Sequence, residues 1–363
     1  MSDAQVRERL EQAGARLSES VPLADSTTLR VGGPARLLAD CDTTDSLVET
    51  VRALDDAGVP VLIVAGGSNL LISDDGFDGV AVRIATSQVR IGDGVVFAEA
   101  GANWDGVVAA TVEAGLGGLE CLSGIPGSTG ATPVQNVGAY GVEVSSVLRR
   151  VHLLDRRSDT VSWVEPESLG LDYRTSVLKH SDDAVVLAAE FDLRTDGSSA
   201  PLRYRELFDA LNASEGESRP AADVRAAVLR LRGGKGMVLD APDHDTWSAG
   251  SFFTNPIVAD DRLAAVLAKI EAKLGDVRVP QFPGPSGTKL SAGWLIERAG
   301  FGKGYPAVDA PARLSTKHTL ALTNRGSAKA SDLVALARNV RDGVESAFGV
   351  RLEPEPVTVG VSI

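Results

Sequence analysis

The amino-acid sequence predicts an α+β protein of two domains, and three observations predict it. At 363 residues the chain exceeds what one ordinary core holds, given roughly 150 residues per domain. Near its start, a helical period, a short apolar strand and a glycine loop follow one another within residues 44–69. From Pro201 onward the pattern changes, and helices alternate with short strand candidates.

Taken in order, the segment from about Asp3 to Leu17 sets Val6, Leu10 and Leu17 near helical spacing and predicts a short surface-packed helix. A second helix begins at Thr44 or Asp45, buries Leu47, Val48, Val51 and Leu54, and stops at Gly58. Residues 61–65 form a short buried strand that leads directly into Gly66-Gly67-Ser68-Asn69. Residues 95–101 are another strand, followed by a helix capped near Asn103 that closes around Gly115. A long loop over residues 122–141 comes next, then strands at about 147–155, 160–164 and 184–194. Residues 1–199 read as one cofactor domain with two lobes, about 1–85 and 86–199. Residues 200–363 read as an α+β second domain. There, helices at about 202–212, 221–232, 260–274 and 329–348 alternate with strand candidates at 251–258, 318–323 and 350–360. The polar stretch Asn212–Pro220 reads as a boundary loop.

Composition removes several function classes. Charged content of 23% and hydrophobic content of 44% are globular values. A net charge of −13 argues against a nucleic-acid binder, which needs a basic footprint. No apolar run approaches the ~18–20 residues that span a bilayer, and the N-terminus lacks the pattern of a signal peptide. The expectation is a cytoplasmic chain with no membrane partner. Two cysteines, Cys41 and Cys121, make no disulfide framework, and four scattered histidines show no metal spacing. No metal site is expected.

The familiar nucleotide motifs are also missing. There is no G-x-G-x-x-G of the Rossmann type, no P-loop around Lys235 or Lys303, and no nucleophile elbow at Ser251. Two glycine-rich segments remain, residues 65–71 and 123–141. Glycine permits positive φ and close approach to a ligand, so consecutive N–H groups can make an anion nest. Ser68, Asn69 and Ser128 add side-chain donors. Such loops can hold a pyrophosphate without lysine, which suits an acidic protein. Residues alone carry the reading this far, to an anion-binding, non-Rossmann nucleotide site.

Six segments then occur in order: GGSNLL, GIPGSTGATPVQNVGAYG, DYRTSVLK, AGSFFTNP, KLSAGWLIERAG and LEPEPVTVG. Together they resemble the UDP-N-acetylenolpyruvoylglucosamine reductase family of peptidoglycan precursor synthesis, from about Thr28 to the C-terminus. The resemblance implies a two-lobed FAD-binding domain of the vanillyl-alcohol oxidase type and an α+β substrate-binding domain. It implies FAD, with NADPH as co-substrate and the enolpyruvyl ether of a UDP-sugar as substrate, and a monomer as the assembly. It sets FAD against Gly66, Gly67, Ser68 and Asn69, and against the second loop through Gly124, Ile125, Pro126, Gly127, Ser128, Gln135, Asn136, Gly138, Ala139 and Tyr140, with Arg232 nearby. The FAD loops contain no histidine, which argues against the covalent attachment found in many oxidases of this fold.

The same likeness assigns the chemistry. Hydride addition to an enol-ether carboxylate builds negative charge at the α-carbon, so a fixed cation and a proton source are needed. Arg174 suits the carboxylate because its planar fork can engage it bidentately. Ser251 matches the proton donor, and Glu355 matches the acid that steadies the enolic intermediate. Tyr204, Lys235, Asn255 and Lys289 match contacts to the UDP-sugar. Departures from the family pattern are Phe282 in place of a tyrosine, His318 where glutamine also occurs, Ala65 in place of a glycine, and a longer insert between Lys235 and Ser251.

Overall fold

A computed structural model describes residues 2–363 and divides them into two compact units. The first comprises the described residues up to 21, with 35–67 and 77–238; the second comprises residues 22–34, 68–76 and 239–363. Residues 200–238, expected with the C-terminal part, therefore lie in the first unit. Their physical reason is a small core in which Leu202, Leu207, Val224, Ala227 and Val228 pack on Cys121 and Val142.

Besides a small hairpin in which Gly138–Ala139 pairs with Val142–Glu143, the first unit holds two large sheets. In one, the strand Phe77–Ile84 lies between Ala35–Cys41 and Val61–Val64, parallel to both, and Arg16–Glu19 pairs antiparallel on the outer edge. The other is fully antiparallel, in the order Thr160–Val164, Leu148–Asp155, Ala184–Asp192, Val95–Glu99, Val89–Gly92. Helix Thr44–Ala57 buries Leu47, Val48, Val51 and Leu54; Thr43 caps it by accepting the Ser46 N–H, and Gly58 at φ 63° ends it. The first helix stops at Gln12 rather than near Leu17. Gly14 turns at φ 86°, and Leu17 goes on to pair with Ala39 in the edge strand.

The second unit contains the helices Asp260–Leu274, Ala292–Arg298 and Ala330–Phe348 around a core that includes Phe252, Phe253, Leu295, Leu336 and Phe348. Its strands are short. Val357–Val359 runs parallel to Leu70–Ile72, and Gly287–Leu290 lies between Ile257–Val258 and Gln281–Gly284. Of the strand expected over 251–258, only the last two residues form one. Residues 252–254 instead cross residues 353–355 at one bridge, Phe253 opposite Pro354, because Pro354 has no N–H to extend the pairing and Pro256 follows two residues after Thr254.

Candidate active site

In the first unit the two glycine loops meet backbone to backbone. A Cβ placed on Gly66 would lie 2.5 Å from the Gly127 Cα, so only glycine fits. The second loop is seated along residues 100–104: the Trp104 N–H donates to Gly127 O at 3.1 Å, Thr129 N–H to Ala102 O at 2.9 Å, and Gly130 N–H to Ala100 O at 2.8 Å. A cofactor that packs against glycine backbone and needs donors finds both here. The Ser128 hydroxyl is buried and has no protein partner, and neither has Arg232 Nε. A buried donor without a partner is costly, so an absent acceptor is the natural explanation. The residues fit FAD.

Arg232 belongs to the helix Ala221–Gly234, and its Nη2 donates to Met237 O at 2.8 Å and to Gly124 O at 3.4 Å. Burial lowers its pKa from the ordinary arginine value, opposed by Tyr140 and Asp105. Burial pushes the Tyr140 phenol up to about 12, with Arg232 pulling the other way. Tyr140 meets Tyr204 edge-on at 5.4 Å. Tyr204 is 46% exposed, and Lys235 is ion-paired with Glu206 one helix away.

The Asp-Tyr-Arg-Thr-Ser turn is docked on the second glycine loop at three points. Ser176 Oγ donates to Val134 O at 2.5 Å, Asn136 Nδ2 to Asp172 O at 3.2 Å, and Arg174 Nη2 to Gly138 O at 2.6 Å. Asn136 also donates to Glu143 and accepts the Ser145 N–H, so its side chain serves the turn. Asn136, Tyr140 and Arg174 all adopt positive φ, at 46°, 52° and 54°. Strain of this kind is held where surrounding structure over-determines it, which is common at functional sites.

The second unit gathers another group. The Glu355 N–H donates to Phe252 O at 2.9 Å, which sets the Glu355 backbone beside Ser251 and its neighbour. Asn69 joins them: its Nδ2 donates to Glu355 O at 3.3 Å, and the Val357 N–H donates to Asn69 O at 2.9 Å. Asn255 Oδ1 accepts the Ala292 N–H at 2.9 Å, and Lys289 stands opposite both Ile257 and Phe282 in the small sheet. Glu353 is exposed on the surface. The expected residues thus fall into two sets. Gly66, Gly67, Arg174, Tyr204, Arg232, Lys235 and the second loop belong to the first unit; Ser68, Asn69, Ser251, Asn255, Lys289 and Glu355 belong to the second.

Several charged residues near these sets escape motif reading. Glu120 is wholly buried and accepts the N–H groups of Gly118 and Ala200, at 2.5 and 3.0 Å. Burial raises its pKa despite those bonds. Asp105 accepts the Gly124 N–H at 2.6 Å. In the insert before Ser251, Asp245 is buried and accepts from Arg325 at 2.8 Å and from the Thr316 N–H at 2.9 Å, and Asp243 pairs with Lys317. The insert is therefore braced on the turn that carries His318. An acid in the first turn of a helix capped by Asn103 is the one sequence signal that marks Asp105.

Comparison with known proteins identifies the family and its two domains. A family model described as an FAD binding domain matches residues 35–163, and one described as the C-terminal domain of UDP-N-acetylenolpyruvoylglucosamine reductase matches residues 241–359. A protein of Nocardia farcinica named UDP-N-acetylenolpyruvoylglucosamine reductase is 72% identical over 99% of this chain and 94% of its own length. One of the same name from Saccharopolyspora erythraea is 61% identical over 96% and 98%. The crystal structure of UDP-N-acetylenolpyruvylglucosamine reductase from Thermus caldophilus superposes with a TM-score of 0.65 at 25% identity, covering 95% of this chain and 99% of that one. Among the described residues, no helix is long and apolar enough to cross a membrane.

Proposed function

The chain belongs to the UDP-N-acetylenolpyruvoylglucosamine reductase family, and on that footing we propose how its residues divide the work of the reaction. It is an FAD-dependent oxidoreductase that reduces the enolpyruvyl group of this UDP-sugar in peptidoglycan synthesis. NADPH is the proposed reductant. FAD sits against the glycine loops, with Ser128 Oγ and Arg232 Nε supplying donors that have no protein partner. The buried Ser128 donor beside the glycine-on-glycine contact, with the Arg232 donor next to Gly124 of the same loop, is the observation that carries the reading.

Bound FAD supplies hydride for the β-carbon of the enol ether. Arg174 holds the substrate carboxylate as negative charge gathers there, and its pinned backbone keeps the guanidinium from drifting during the step. Glu355 steadies the enolic charge distribution, and Ser251 hands a proton to the α-carbon. Lys235 and Lys289 take the diphosphate as point charges, Asn255 orients the substrate, and Tyr204 closes over it. Lys235 must first leave Glu206, an exchange that a more highly charged diphosphate favours. A cytoplasmic monomer completes the proposal, to be checked by light scattering.

The test is spectroscopic and then kinetic. Purified protein should carry flavin absorption bands and oxidise NADPH catalytically, beyond one equivalent per flavin, when the enolpyruvyl UDP-sugar is supplied. Protein that binds no FAD would overturn the reading.

A further inference from the structure

The helix Ala221–Gly234 carries Arg225 and Arg232, seven residues apart and so on one face, two turns from each other. Both side chains lead to the same residue, Gly124. Arg232 reaches its carbonyl. Arg225 reaches its N–H indirectly, through Asp105: Arg225 Nη1 and Nη2 clasp the two carboxylate oxygens at 2.6 and 2.9 Å, and Asp105 Oδ1 accepts the Gly124 N–H at 2.6 Å. Gly124 is thus held on both of its peptide groups. It adopts φ 69°, and a Cβ there would meet Leu229 Cδ2 at 2.9 Å and Val238 Cγ2 at 3.0 Å.

Charge sharpens the arrangement. Two guanidinium groups face one carboxylate, so Asp105 neutralises Arg225 and leaves the positive charge of Arg232 uncancelled. The Nε of Arg232 is buried and has no protein partner. Asp105 is also well placed on its own helix, in the first turn of Trp104–Glu113, where the helix dipole favours a negative charge. Burial alone would raise its carboxyl pKa, yet Arg225 and the Gly124 N–H hold it below the ordinary value.

We infer that Asp105, braced by Arg225, is a positioning residue for the flavin: it sets the Gly124 turn and keeps Arg232 aimed at the cofactor as a cation. The inference rests on the reading that the Gly124–Tyr140 loop holds FAD. Neither Asp105 nor Arg225 needs to touch FAD for this role. Their effect passes through one peptide group and one guanidinium. A carboxylate used only for packing would influence the stability of the first unit and leave the flavin unchanged.

The experiment compares Asp105→Ala, Asp105→Asn and Arg225→Gln with the parent enzyme. It measures FAD dissociation by flavin fluorescence, the flavin midpoint potential at saturating FAD, and thermal unfolding. Asp105→Ala should weaken FAD binding at least tenfold and shift the potential, as the Gly124 turn loosens and Arg232 is no longer held in place. Asp105→Asn keeps an acceptor for the Gly124 N–H and should restore most of the affinity. The double variant Asp105→Ala/Arg225→Gln should be no weaker than Asp105→Ala alone, because Arg225 acts through Asp105. If Asp105→Ala does not fold, Asp105→Asn and Arg225→Gln carry the same comparison with smaller shifts. FAD affinity within twofold of the parent and an unmoved potential, with only the unfolding temperature lowered, would overturn the inference. If the parent itself bound no FAD, the loop reading would fall; if Gly66→Ala lost FAD while Asp105→Ala kept it, only the present inference would.

Discussion

Gly66 and Gly127 touch through their backbones: a Cβ on the first would stand 2.5 Å from the Cα and 2.8 Å from the carbonyl carbon of the second. Neither contact can be relieved by rotating a side chain. Gly66→Ala must therefore push the two glycine loops apart, at a cost of about 1–3 kcal/mol if the core yields as overpacked cores do. Should the separation fall wholly on the cofactor, FAD affinity drops by roughly ten- to a hundredfold. The expected result is protein that folds, by circular dichroism, yet loses flavin on gel filtration. Full retention of flavin would mean that the loops do not form the cradle.

Arg174 binds the Gly138 carbonyl through Nη2 at 2.6 Å and is held at φ 54° by a turn that Ser176 and Asn136 tie to the same loop. Lysine can match the charge of arginine but not the planar fork that serves a carbonyl and a carboxylate together. Arg174→Lys should lower kcat/KM for the enolpyruvyl substrate roughly a hundredfold, equivalent to about 3 kcal/mol for lost charge-assisted hydrogen bonds. Flavin reduction by NADPH should change only a few-fold, and stopped-flow measurement of the two half-reactions separates these outcomes.

Ser251 presents a different split. Its backbone runs beside Glu355 through the Phe252–Glu355 hydrogen bond, but a hydroxyl that donates a proton is needed only after hydride has moved. Ser251→Ala should leave NADPH-driven flavin reduction intact and slow substrate turnover by about 10²–10⁴-fold, the range for loss of a general acid. Equal loss of both half-reactions would assign Ser251 to binding rather than proton transfer.

How far the sequence could be read depends on where its signals are local. Helix Thr44–Ala57 is announced by its own cap, its own apolar stripe and Gly58, and each of these is confirmed in place. The parallel strands Ala35–Cys41 and Phe77–Ile84 send no such signal. Asp40 and Arg83 sit at paired positions in the sheet and neutralise one another, and with Arg36 and Asp78 they put four charges into strands that would otherwise read as buried apolar runs. The same holds at the site. The glycine loops are legible because positive φ and close approach select glycine directly. Glu120 and Asp245 are not, and Asp105 is marked only as an acid in a helix's first turn, since each acquires its meaning from a partner 71 to 120 positions away. Distant pairing leaves no spacing to find.

Asp245 gives that invisible layer a measurable consequence. Its carboxylate lies in the insert ahead of Ser251, and burial by itself would raise its pKa. Hydrogen bonds from the Thr316 hydroxyl and N–H, with the charge of Arg325, outweigh burial and hold the pKa below the ordinary aspartate value. A carboxyl depressed by folding stabilises the native state above its unfolded pKa, about 3.9, and that contribution disappears as pH falls through the lower folded value. Asp245→Asn should therefore destabilise the protein at neutral pH, by on the order of 3 kcal/mol for a broken buried ion pair. The difference from the parent should shrink as pH drops below the ordinary aspartate range, because acid removes the same charge from the parent. Urea unfolding at pH 7 and near pH 3 measures both values. A gap that stays constant between the two pH values would mean that the Asp245 charge does not brace the His318 turn.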